Sequence, residues 1–119
     1  MWSSLAETIA WVEATLDVRT GSYPPADASG DYAVVQRVGG DTGYPHDSPR
    51  MAIQIWTDSD ENGEQVALAV ARVLPALAER SYRINAIERG ITITQLGRDD
   101  NGHYVWQVVF TMHCNIQED

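Results

Sequence analysis

The sequence predicts an α+β fold: an antiparallel or mixed four-stranded sheet with two helices packed on one face, in the order α-β-β-α-β-β. Three patterns carry that reading. Trp2, Leu5, Ile9, Val12 and Leu16 recur at steps of three and four, which makes one stripe of a helix. Met51, Ile53 and Ile55 alternate with Ala52, Gln54 and Trp56, the period of a strand. The longest alternation runs from His103 to Ile116. Tyr104, Trp106, Val108, Phe110, Met112 and Cys114 take one face, and His103, Val105, Gln107, Val109, Thr111 and His113 take the other. The first face is apolar enough to lie under helices, and the mixed second face suits water or a neighbouring subunit.

The first helix is expected over residues 3 to 17, capped by Ser3 or Ser4. Thr20 to Gly30, with two prolines and two glycines, reads as a tether to the sheet. Asp31 to Val38 is the first strand, with Val34, Val35 and Val38 supplying β-branched bulk. Gly39 to Pro49 reads as a second long loop, about eleven residues where hairpins use two to five.

Arg50 to Thr57 is the second strand, apolar on both faces. Asp58, Ser59, Asp60 and Glu61 then offer oxygens and charge to the unpaired N–H groups of a helix start, and Asp58 and Glu61 have capping-box spacing. Val66, Ala69, Val70, Val73 and Leu77 continue the helix toward Ala78, with Pro75 ending its regular part near Leu74. Arg83 to Leu96 is the third strand, bent at Arg89-Gly90, and Asp99-Asp100-Asn101-Gly102 turns the chain into the fourth. Because the second helix joins strands two and three, a parallel neighbour is also compatible.

Composition limits function. A chain of 119 residues is one domain, 1–119, able to bury roughly two-thirds of its unfolded surface. A formal charge of −9 with eight basic residues in no run disfavours duplex binding, which needs Lys and Arg on phosphates. A single cysteine, Cys114, excludes an intrachain disulfide and a thiolate zinc cluster. The N-terminal segment carries Glu7 and Glu13 and no basic stretch, so it does not read as a signal peptide. No apolar run approaches the ~20 residues of a membrane span. A reducing cytoplasm is the expected site of synthesis and assembly.

Catalytic chemistry is not evident. His103 and His113 lie roughly 33 Å apart along an extended strand, too far to share a metal. His46 near Asp41 and Asp47 is the one combination that would suit a metal or general base, if its loop folded to unite them. Gly39-Gly40-Asp41-Thr42-Gly43 lacks the Gly-Lys-Ser/Thr ending of a phosphate loop. Ser48 and the other serines lie in no nucleophile-elbow context. The expectation is no catalytic residue, no metal and no cofactor, with doubly apolar strand two and the long loops serving self-assembly.

Three segments carry a family resemblance: VVQRVGGD (Val34 to Asp41), MAIQIWT leading into a helix rich in Ala, Val and Leu, and GRDDNGHYVWQVVFTMHC. With the amphipathic N-terminal helix they resemble the tail terminator proteins of long-tailed bacteriophages, particularly those infecting actinobacteria. The resemblance implies a virion protein, six copies of which form a ring on the head-proximal end of the tail tube. Such a ring stops tube polymerisation at the length set by the tape measure protein and forms the surface that joins the head through a head-completion or stopper protein. Its partners are therefore a second copy, the major tail tube protein and the stopper, while genomic DNA passes through the channel without specific binding. By position, Gly39, Gly40, Asp41, Tyr44 and Pro45 are the expected partner- or lumen-facing element, and Val34, Gln36, Arg37 and Trp56 are further interface candidates. An acidic channel would let DNA slide. Another head–tail connector or a tube subunit is the nearest alternative, and a small enzyme or ligand-binding domain using His46 is a more distant one.

Overall fold

In the computed structural model, which describes residues 1–118, α1 spans Ser4–Leu16. Ser3 caps it by accepting a hydrogen bond from the Ala6 N–H at 3.0 Å, and Asp17 ends it in the left-handed region. The apolar stripe read from the spacing faces the sheet: Trp11 and Val12 are buried, and Trp2, Leu5, Ile9 and Leu16 pack against the same core.

Six strands form one mixed sheet: β1 (Arg19–Gly21), β2 (Tyr32–Gly43), β3 (His46–Thr57), β4 (Ile84–Ile87), β5 (Thr92–Arg98) and β6 (Tyr104–Asn115). Their lateral order is β1-β2-β3-β6-β4, with β5 also on β6. Only β1 runs parallel to its neighbour; every other pair is antiparallel. The expected four-stranded sheet is therefore enlarged at both sides. On one side, Arg19 and the first two residues of the expected loop, Thr20 and Gly21, pair with β2. On the other, the expected third strand divides, because the chain bends at Gly90 (φ +87°) and its two halves pair with different parts of β6.

The largest correction concerns Gly39 to Pro49. These residues are not a loop but the outer half of a continuous β2–β3 hairpin. Gly39 and Gly40 have φ of +135° and +99° beside a bulge between Arg37 and Gly39, and Tyr44-Pro45, joined by a cis peptide, is the two-residue connection. The glycines and prolines that read as loop formers instead serve a bulge and a tight turn.

Helix α2 (Asp60–Val73) is capped by Ser59, whose hydroxyl accepts from the Asn62 N–H at 3.1 Å. Asp58 is thus not the cap; the helix begins one residue later than the capping-box spacing suggested. A 3-10 helix, Leu74–Arg80, follows with Pro75 in its first turn, as the missing proline N–H requires. Between sheet and helices lie Met51, Ile53 and Ile55 of β3, Phe110 and Met112 of β6, and Leu74 and Leu77 of the 3-10 helix.

Helix α2 is seated on β6 by Trp106, whose indole N–H donates to Asp60 Oδ1 at 3.0 Å. Its ring lies so close to Gly63 that a Cβ there would sit 2.4 Å from Trp106 Cδ1. Gly63→Ala improves helix propensity by about 1 kcal/mol, but overpacking of this kind costs roughly 1–3 kcal/mol. The substitution is expected to be neutral to destabilising by up to ~2 kcal/mol, opposite to the gain at an open helical glycine. Urea unfolding of the variant beside a Gly63→Ala/Trp106→Leu double variant measures it, because the smaller partner should restore the propensity gain.

Candidate assembly surfaces

Beyond Arg37 on β2 and Arg50 on β3 the hairpin continues as an arm, in which Gly39, Gly40, Asp41, Thr42 and Gly43 are all exposed. Its β3 side pairs with the end of β6 through His46 with Asn115 and Asp47 with Cys114, and side chains add to that hold. At its base the Arg37 guanidinium donates from Nη1 to Asp47 Oδ2 and from Nη2 to Asp47 Oδ1, both at 2.9 Å. At its tip Tyr44 is 67% exposed, the Pro45 carbonyl accepts from the Ile116 N–H at 2.7 Å, and the Tyr44 hydroxyl accepts from the Glu118 N–H at 3.4 Å. The structure thus places Gly39, Gly40, Asp41, Tyr44 and Pro45 together on the outer half and tip of one hairpin.

Arg37 has a different position from those residues. It turns to the helix side, and Asp47 beneath it is buried, only 6% exposed. The Arg37 hydrogen bonds, aided by the Thr42 side chain, hold the Asp47 carboxyl below the usual carboxylate range despite burial. A carboxyl depressed in the folded state stabilises the fold above its unfolded value, near ~3.9, and that contribution is lost as pH falls through the lower folded value. Acid titration of thermal stability is therefore expected to show a loss below about pH 4 that Asp47→Asn largely removes. At neutral pH Arg37→Ala should destabilise by about 1–3 kcal/mol, discounted because the guanidinium is partly exposed.

The sheet face away from the helices is uncharged at its centre. One row across it reads Val34, Gln54, Gln107 and Thr94, and the next Gln36, Ala52, Val109 and Thr92. Gln54 donates to the Gln107 carbonyl oxygen at 3.2 Å, which ties β3 to β6 across this face. Val34 is 1% exposed and offers little surface of its own, and Gln36 is occupied in donating to the Ser22 carbonyl at 3.3 Å. Trp56 lies at the end of the same face, half-buried, stacked on Tyr32 with ring centroids 5.1 Å apart and edge-on to His103. Their neighbours make Val34, Gln36 and Trp56 parts of the sheet and its tethering loop, apart from the arm.

The histidines are dispersed. His46 is exposed, and its presumed companion Asp47 is engaged by Arg37, so the combination of His46, Asp41 and Asp47 is not assembled. Among the described residues no group of three or more His, Cys, Asp or Glu side chains is placed to hold a metal. The buried His103 donates from Nε2 to the Gly30 carbonyl at 2.8 Å, pinning the Thr20–Gly30 loop to the sheet end; its Nδ1 lies 3.3 Å from Asp99 Oδ2 without hydrogen-bond geometry. His113 bridges Ser48 Oγ (2.9 Å from Nδ1) and Glu88 Oε2 (3.1 Å from Nε2).

This Ser-His-Glu chain has the connectivity of an activated nucleophile, and sequence spacing gave no sign of it. Its His113 and Glu88 side chains are 45% and 56% exposed, however, on a strand surface rather than in a water-excluding cleft. The chain is better read as a cross-strand tie between β3, β6 and the β4–β5 bend. Burial pushes the Cys114 thiol up to about 11, so it is an inert core side chain rather than a nucleophile. No described helix is long and apolar enough to cross a membrane. No family model matches this chain, and no curated protein matches it.

Proposed function

We propose that this protein is a virion structural protein of the tail terminator kind, forming a ring, hexameric by analogy with that family, on the head-proximal end of a phage tail tube. The observation that supports this reading is the placement of the resembling segments. Val34–Asp41 lies in β2, Met51–Thr57 in β3 and His103–Cys114 leads through β6, so the segments that carry the resemblance fold as three adjacent strands. A paired, exposed hairpin arm beside a sheet face uncharged at its centre suits work done by surfaces. In this reading one end of the ring fits the last tube subunits, the other meets the stopper protein, and an acidic lining lets DNA slide past.

Electron microscopy of tails assembled without the protein tests the proposal. Overlong tubes, or tails of normal length that fail to join heads, support termination. Short or missing tubes point to a tube subunit or an initiator instead. Purified protein that grows into long tubes by itself identifies the tube subunit, and acidic side chains absent from the channel of an imaged ring reject the sliding role of the −9 charge.

A further inference from the structure

The sheet has two uncovered edges that run in opposite directions. Strand β1 pairs with Tyr32, Ala33 and Val34, so among the described residues the outer side of β2 from Val35 to Gly43 has no strand beside it. On the far side, β4 and β5 pair with β6 and, among the described residues, carry no strand beyond them. Because β2, β3, β6 and the β4–β5 edge alternate in direction, a copy placed alongside in the same orientation brings its β2 antiparallel to this copy's β4. That is the same relation as every long pair inside the sheet.

The register places the two edges level. Asp41 pairs with Ser48, Ser48 reaches His113 by its 2.9 Å hydrogen bond, and His113 pairs with Ala86, so these four residues form one row from edge to edge. Lateral displacement of a second copy along that row sets its Asp41 beside this copy's Ala86, both exposed. The exposed arm of β2 carries neither lysine nor proline, the residues that commonly block such edges. Charge does not oppose the contact: the arm from Val38 to Gly43 contains only Asp41, Ile84–Ile87 is uncharged, and Glu88 with Arg89 follows it. The bulge after Arg37 confines regular pairing to the outer arm, Gly39–Gly43, about the length of β4.

We infer that copies of this chain join head to tail by strand addition, the β2 arm of one copy (Gly39–Gly43) extending the sheet of the next at β4 (Ile84–Ile87). The interface is heterologous, and the twist between successive sheets turns the series so that it can close into a ring. This inference rests on the ring reading above and assigns the contact by which the ring is made.

Disulfide trapping tests it, because Asp41→Cys and Ala86→Cys place thiols on facing edges while the native Cys114 stays buried. The double variant, oxidised under mild conditions, is expected to give a ladder of linked copies ending at one closed species. Each single variant should give at most dimers. A double variant that links no more than the single variants overturns the edge pairing. The outcome is separable from that of the terminator reading: a trapped closed ring that fails to block extension of growing tubes rejects termination and leaves the pairing standing. Protein that blocks extension while the double variant remains unlinked rejects the pairing alone.

Discussion

Replacing Phe110 with alanine is expected to destabilise the protein by about 3–5 kcal/mol, enough to remove much of the stability of a typical domain. Phe110 lies in the middle of β6, opposite Met51 of β3, on the face that both helices cover. Truncation loses the transfer free energy of the ring and leaves a cavity that rigid neighbours cannot fill, since Met51, Ile53, Leu74 and Leu77 are fully buried already. The melting temperature should fall by roughly 10–25 °C. Leu68→Ala is the control: Leu68 is exposed on α2, and its loss should change stability by no more than ~0.5 kcal/mol. Calorimetry of both variants decides the matter, and equal shifts would mean the core has been misplaced.

Gly40→Ala should produce the second large effect, about 2–4 kcal/mol, concentrated in the arm. Its φ of +99° is one that L side chains rarely adopt, and a Cβ there would lie 2.1 Å from the Ser48 carbonyl oxygen, 2.7 Å from Arg50 N and 2.9 Å from Pro49 Cα. All three are backbone atoms of the paired strand, so rotation of a side chain offers no relief. Gly39 separates the two causes. Its φ is also positive, but an added Cβ meets nothing within 4 Å. Gly39→Ala therefore reports dihedral strain alone, and the excess at Gly40 reports the collision. Amide hydrogen exchange should show lost protection at Gly39–Arg50 in Gly40→Ala with core strands unchanged. Equal exchange in the two variants would mean the collision contributes nothing.

The first helix and the long central strand were legible because their apolar periods extend over three or more turns or alternations. In α2 the spacing chose Val73, which is exposed, and missed the buried Ala67 and Leu74, because a helix rich in Ala and Val offers several apolar stripes. Trp2 through Leu16 and Tyr104 through Cys114 each bury the face that their spacing assigns. The arm was not legible, for a physical reason. Gly39, Gly40, Tyr44 and Pro45 are the residue types of loops, and only the register with Ser48, Pro49 and Arg50 shows that they belong to a hairpin. Strand β1 was hidden because three residues carry too short a period to recognise. The candidate surface fared similarly. Gly39, Gly40, Asp41, Tyr44 and Pro45 lie together as their adjacency in sequence requires, but Arg37 is drawn inward by Asp47, a pairing of residues ten apart that depends on hairpin register. Ser48, His113 and Glu88 meet only because β3, β6 and the bend after β4 are neighbours in space.

The short strand β1 has a consequence for which part of the fold is left open to assembly. It runs parallel to β2, so lengthening it would leave the two sheet edges opposed in direction. It would, however, replace β2 as the edge and occupy the backbone groups that now face outward. With β1 limited to Arg19–Gly21, the outer side of β2 beyond Val34 keeps those groups free for another chain. Access to the arm thus falls on the shortest strand in the molecule, and an insertion that extends β1 along β2 is the change that would close it off.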